Sequence, residues 1–166
     1  SYNKCFGPID YVNNVVYNWG SNSTYGGEGY SQARKINMVN NYYKYGPATK
    51  KKTRLVDPTV SCSYCSDGHT LIPGKFFLSG NYMFGSDAVT SDNWEGSTVK
   101  TDAVKATARW TDGLTSITNE QTAELAYETV LAKAGCSLHR DAEDTRIVNN
   151  VSNTTGKLIN TPSEAG

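Results

Sequence analysis

Hydrophobic and polar residues alternate along this chain in three short phrases of the same shape. Ile9 to Val12, Lys35 to Val39 and Lys75 to Ser79 are strand-like runs, and each leads into an asparagine: Asn14, Asn41 and Asn81. Two bulky residues follow each asparagine: Val15-Val16, Tyr42-Tyr43 and Tyr82-Met83. Short apolar runs bounded by turn residues predict strands rather than helices. The copies are 27 and 40 residues apart, a spacing that signals a repeat architecture. The expected fold is therefore all-β, a partial solenoid with about three rungs visible. The asparagines fit its corners, because Asn tolerates the left-handed backbone conformation. If the rungs stack, these amides stack too and form a hydrogen-bonded ladder, which a buried amide requires.

Between rungs the pattern dissolves. Trp19 to Ser31 is rich in Gly, Ser, Asn and Tyr, and Gly46 to Gly74 carries three prolines and the run Lys50-Lys-Lys-Thr-Arg54. Loops of that length are uncommon unless functional or disordered. Ser86 to Trp110 is polar, with Trp94 and Trp110 as expected anchors onto the rungs. The tail turns helical. Thr118-Asn-Glu-Gln121 reads as a capping box. Ala123, Ala126, Tyr127, Val130, Leu131 and Ala134 then share one helical face, and Gly135 supplies the stop. A second helix is expected from Asp141 to Val151, with Asp141 as cap and Ile147, Val148 and Val151 inward. An open rung is an exposed sheet edge, so these helices are candidates for a lid on the solenoid. Residues 1–110 then form rungs and loops, and 111–166 a helical cap of the same domain.

Composition narrows the function classes. Sixteen basic and sixteen acidic side chains balance, which is not the footprint of a general nucleic-acid binder. No apolar run approaches the roughly 18 residues needed to span a bilayer. Eleven tyrosines against four phenylalanines suit a β-rich surface with exposed rings. Cys5, Cys62, Cys65 and Cys136 leave three readings open. Cys62-Ser-Tyr-Cys65 has zinc-like spacing, but only His69 and His139 remain as further ligands; a loop disulfide and free thiols are the others. N-x-[ST] sequons stand at Asn22, Asn150 and Asn153.

Several blocks taken together resemble a known family. Tyr11-Val-Asn-Asn-Val-Val-Tyr-Asn-Trp-Gly, Asn22-Ser-Thr-Tyr-Gly-Gly-Glu-Gly and Asn37-Met-Val-Asn-Asn-Tyr-Tyr-Lys-Tyr-Gly-Pro-Ala-Thr49 are similar to the C-terminal half of secreted microbial pectate lyases. Gly80-Asn-Tyr-Met83, Asp92-Asn-Trp94, Asp141-Ala-Glu-Asp-Thr-Arg-Ile-Val148 and Gly156-Lys-Leu-Ile-Asn-Thr-Pro-Ser-Glu164 resemble its closing segments. The resemblance implies a right-handed parallel β-helix, secretion, and calcium-assisted β-elimination of polygalacturonate.

That chemistry needs a base beside the uronate carboxylate and a cation to neutralise it. The family's acidic calcium cluster belongs to an earlier region, and Asp87 and Asp92 here read better as cap or solvated loop. In the family an Arg-x-Pro-x-x-Arg-like stretch leads into the first rung. Counting back from Phe6-Gly7 puts its second arginine at Cys5, its proline at Tyr2, and the catalytic first arginine just before Ser1. Lys4 is the basic side chain left in that stretch and the one catalytic candidate; a solvated residue at a frayed end is its bland reading. For substrate, Arg34, Lys35, Lys44 and the Lys50 to Arg54 run flank the rungs and suit an anionic polymer. Tyr17, Tyr25, Tyr43 and Tyr45 suit sugar stacking, with rung packing as the alternative. Two further readings stay in view: a non-catalytic β-helix module that binds acidic polysaccharide, and a structural β-solenoid. The expected partners are polygalacturonate and, at the edge of the first rung, an N-terminal β-helix segment or a second copy.

Overall fold

The computed structural model describes residues 7–61 and 70–164. Lys4, Cys5, Cys62, Cys65 and His69 lie outside them, and the expectations placed on those residues with them. Eight short strands follow one another: β1 Ile9–Val12, β2 Val15–Tyr17, β3 Tyr25–Gly26, β4 Lys35–Val39, β5 Tyr42–Lys44, β6 Asp57–Pro58, β7 Lys75–Ser79 and β8 Tyr82–Met83. They form parallel sheets with the orders β1-β4-β7, β2-β5-β8 and β3-β6. The register follows the sequence repeat. Ile9 pairs with Ile36 and Val15 with Tyr42, then Ile36 with Phe76 and Tyr42 with Tyr82. Each copy of the phrase thus gives one strand to the first sheet and one to the second. The three longest expected strands have the bounds read from the sequence.

Side chains alternate across these strands. Met38, Phe76 and Leu78 of the first sheet and Tyr43 and Met83 of the second point into a shared core with Trp19, Leu55, Val56, Val89 and Val104. Strands this short have little independent stability, so the shared interior holds the three sheets together.

The corner between the first and second sheets divides its work between two residues. Asn13, Asn40 and Gly80 take the left-handed conformation, with φ of 56°, 52° and 65°. The residue after each, Asn14, Asn41 or Asn81, turns inward and makes the ladder. The sequence reading gave both tasks to the second residue. Glycine replaces asparagine in the third copy for a steric reason: a Cβ on Gly80 would lie 2.0 Å from Asn40 Oδ1. The ladder has one polarity. The backbone N–H and Nδ2 of Asn14 donate to Asn41 Oδ1 at 2.9 and 3.0 Å. Asn41 does the same to Asn81 Oδ1 at 3.0 and 2.8 Å. Asn81 donates in turn to Asn93 Oδ1 at 2.9 and 3.0 Å.

Asn93 belongs to the segment that closes the far end of the stack. There a short helix, α1 (Asp87–Ser91), is capped by Ser86, and a 3-10 turn (Asn93–Gly96) by Asp92. Val89 enters the core, and residues 104–106 pair with β7 through Phe76. The C-terminal helices, α2 (Ala123–Lys133) and α3 (Ala142–Asn153), are placed differently from expectation. The α2 helix packs across β2 and β5, on the side of the stack. Val15, Tyr17 and Tyr42 present apolar surface there, whereas residues 86–106 already close the end. Thr122, not Thr118, caps α2, because Glu120 and Gln121 are engaged elsewhere. Asp141 caps α3 as expected, but Ile147 is half exposed rather than inward.

Candidate functional site

Each sheet has an outer face, and what covers that face decides what it can bind. On the first sheet, Asp10, Asn37 and Phe77 form an outward row. Residues 106–121 lie across it as a strap. Asn37 Oδ1 accepts the Trp110 N–H at 3.0 Å, and its Nδ2 donates to the Trp110 carbonyl at 2.9 Å and to Asp10 at 2.7 Å. Asn13 grips Gln121 in the same two-way manner, at 2.9 and 2.8 Å. Arg109 ties Asp10 to Glu120 at 3.5 and 2.7 Å. Its hydrogen bond to Glu120 holds the guanidinium above its ordinary pKa. A cavity of ≈ 250 Å³ lies under the strap, lined in part by Asp10, Arg109, Trp110 and Glu120. Both of its carboxylates pair with the one guanidinium, which leaves the lining net negative.

The outer face of the second sheet is covered by α2. Tyr82 and Tyr42 stack at 4.7 Å, and Tyr127 of α2 continues the stack on Tyr42 at 4.3 Å. Burial, aided by the nearby Tyr82, Tyr127 and Glu124, pushes the Tyr42 hydroxyl up to about 12. Lys44 sits in the same layer and is only 5% exposed. Its ammonium donates to Tyr127 Oη at 3.2 Å and to the Ser152 carbonyl at 3.0 Å. The expectation that Lys44 faces a polymer is therefore corrected. It is a tether that holds both C-terminal helices to β5.

Among the described residues no strap or helix covers the third sheet at Tyr25. Tyr25 is 74% exposed and stands in register with Asp57 on the neighbouring strand, so both side chains share the outer face. Arg54 Nη1 donates to Asn22 Oδ1 at 2.7 Å and to Asp57 Oδ2 at 3.2 Å. Thr98 donates to the other Asp57 oxygen at 2.5 Å. Ser23 Oγ bonds the carbonyls of Arg54 and Leu55 at 2.6 and 3.0 Å, fastening the two strand-bearing loops together. Beside this cluster Lys50, Lys51 and Lys52 are exposed on a turn. The turn is anchored where Trp19 Nε1 donates to the Lys51 carbonyl at 3.0 Å and the Lys50 N–H to the Gly20 carbonyl at 2.8 Å. Lys52 Nζ lies 4.5 Å from the Tyr45 ring centre.

The sequence candidates thus part company. Tyr25 and Arg54 both neighbour Asp57 at the third sheet, and Tyr45 lies under Lys52 of the lysine turn. Lys35 lies 4.7 Å over the Trp110 ring, on the strap side, and Arg34 is half-buried just before β4. Lys4 lies outside the described residues. Asn22, Asp57 and Thr98 were not singled out as ligand groups. Asp57 carries a usable signal, three residues after Arg54; Asn22 was legible only as a sequon. Among the described residues no three His, Cys, Asp or Glu side chains converge as a metal site. Asp57, the carboxylate in register with Tyr25, has both oxygens engaged. That carboxylate is committed to Arg54 and Thr98 and does not fit as a free ligand for the calcium implied by the resemblance. Asp92 is a cap: its Oδ1 accepts the Trp94 N–H at 3.0 Å.

The third sheet thus carries an exposed ring, a network of hydrogen-bonding groups around Asp57, and a cationic turn adjoining Arg54 in sequence. No family model matches the chain, and no curated protein matches it.

Proposed function

We propose that the chain forms turns of a right-handed parallel β-helix of the pectate lyase type, and that it holds polygalacturonate, an acidic polysaccharide, along its third sheet. The observation that carries this reading is the unequal cover of the three sheets. Two outer faces are closed by the strap and by α2, while the third presents Tyr25 beside Arg54 and the exposed lysine turn. The parallel register at the repeat spacing and the inward asparagine ladder support the β-helix. Extracellular action on plant cell-wall pectin goes with the same reading. Cleavage by calcium-assisted β-elimination would need a free base and free carboxylates, and among the described residues Arg54 and Asp57 of this face are engaged with each other, so polymer binding is the function the geometry supports best.

One experiment separates the readings. The purified chain is run in native gels containing polygalacturonate and, in parallel, incubated with polymer and calcium while unsaturated product is followed by ultraviolet absorbance. Binding should retard the protein, and salt should relieve the retardation, because exposed charges are screened. Appearance of unsaturated product would add the lyase activity to the binding. Unretarded migration at low salt would overturn the polysaccharide reading and leave a structural β-solenoid.

A further inference from the structure

We infer that the third-sheet ledge seats an uncharged, methyl-esterified uronate against Tyr25, and takes free carboxylates only where the polymer reaches the turn at Lys50–Lys52. This rests on the polysaccharide reading above and specifies its substrate as partly esterified pectin. The starting point is charge. Arg54 is opposed by Asp57 at 3.2 Å, within the same network that fixes Asn22 and Thr98. The segment beside β6 repeats the arrangement: Thr98 donates its N–H to the Val56 carbonyl, and Lys100, two residues on, pairs with Glu95 at 2.8 Å. Arg54 and Lys100 are thus each matched by a carboxylate.

A free uronate carboxylate placed on this ledge would meet Asp57 at nearly the distance at which it meets Arg54. Attraction and repulsion then largely cancel, because both scale inversely with distance in the same medium. Desolvating the carboxylate still costs free energy. A methyl ester avoids that cost. Its carbonyl accepts a hydrogen bond, and its methyl group adds apolar contact to an exposed ring. Lys50 and Lys51 differ in kind: they are exposed and make no ion pair among the described residues. The surface therefore reads a pattern, with a neutral sugar at Tyr25 and charged sugars along the lysine turn.

The test is titration of the full chain with galacturonan at three levels of esterification: none, about half, and nearly complete. The half-esterified polymer is expected to bind at least as tightly as the unesterified one. Asp57→Asn removes the compensating charge and leaves Arg54 cationic. It should tighten binding to unesterified polymer about three- to tenfold relative to the half-esterified one, the size expected of one uncancelled charge at a wet surface. Misfolding does not produce such a gain. If Asp57→Asn fails to fold, Arg54→Gln serves instead and should weaken the unesterified polymer selectively. Tyr25→Ala alters a side chain with little packing and should weaken the half-esterified polymer while leaving the unesterified one, held at the lysine turn, nearly unchanged. Wild-type affinity that falls tenfold or more with half-esterification would overturn the inference, as would an unchanged preference in these charge variants. Either result leaves polymer binding intact. Absence of binding to every polymer would instead overturn the polysaccharide reading itself.

Discussion

Substituting Asn41 by alanine should cost this protein more than any single loss of comparable volume at its surface, and the hydrogen bonds say how much. The side chain is fully buried, at 0% exposure. Its Oδ1 accepts two bonds from Asn14, and its Nδ2 donates to the Tyr11 carbonyl at 2.8 Å and to Asn81 Oδ1 at 2.8 Å. Removal deletes all four and leaves the Asn14 N–H and the Tyr11 carbonyl without those partners inside the stack. At about 1 kcal/mol net per bond, with a larger penalty for buried groups left unpaired, the loss is about 3–5 kcal/mol. That is a large share of the 5–15 kcal/mol typical of a folded domain. Asn14→Ala is the internal control. It deletes the Nδ2 bonds to Asn41 and to the Val12 carbonyl from a half-buried position, and should cost about 1–2 kcal/mol. Urea unfolding followed by far-ultraviolet circular dichroism measures both, with equal m-values as the check that the same transition is observed. A cost below about 1 kcal/mol for Asn41→Ala, or equal costs for the two variants, would refute the ladder as a source of stability.

Two further outcomes are expected. Lys44→Met keeps the aliphatic stem but removes the donors to Tyr127 Oη and the Ser152 carbonyl, so α3 should loosen while the strands hold. Amide exchange in residues 142–153 should rise about tenfold, the equivalent of one charge-assisted bond of about 1.5 kcal/mol; unchanged exchange would refute the tether. Tyr42 carries an alkaline dependence. Its hydroxyl is raised by burial from 10.0 to about 12, so the folded state holds the proton more tightly than the unfolded state. The associated stability is fully present below pH 10 and is lost as pH rises from 10 to about 12. Tyr42→Phe should flatten that part of the stability–pH curve, and an unchanged slope would sink the assignment.

The strands and the ladder were legible because the sequence states them three times. A single run such as Lys35 to Val39 is ambiguous, but in-register copies remove the ambiguity. The corner was misread by one residue because two copies carry consecutive asparagines; only Gly80 in the third copy betrays which of the pair is left-handed. The helix start was misread because a capping box is a local pattern, whereas Glu120 and Gln121 answer to Asn40 and Asn13, 80 and 108 positions away. Lys44 failed for the same reason: its neighbours Tyr127 and Ser152 are 83 and 108 positions distant. The third sheet was read as loop, because strands of two residues, Tyr25-Gly26 and Asp57-Pro58, have no period to detect. The candidate site falls there, where local pattern is weakest.

That coincidence has a physical basis in how outward polar groups are satisfied. An asparagine side chain offers a donor and an acceptor side by side, as a backbone edge does, whether on a sheet face or at its corner. Asn37 and Asn13 each take both groups of a strap residue, Trp110 and Gln121, so the first sheet recruits its own cover. The second sheet recruits cover through apolar area, with Tyr42 and Tyr82 adding Tyr127 to their stack. On the third sheet the polar groups satisfy one another instead: Arg54 takes Asn22 and Asp57, and Asp57 takes Thr98. Such a closed set demands no covering segment, and a single ring such as Tyr25 is too little apolar area to dock a helix. The face stays wet, and its ring stays exposed to a ligand from solution. A face that needs no further partner to fold is the one left free to bind something else.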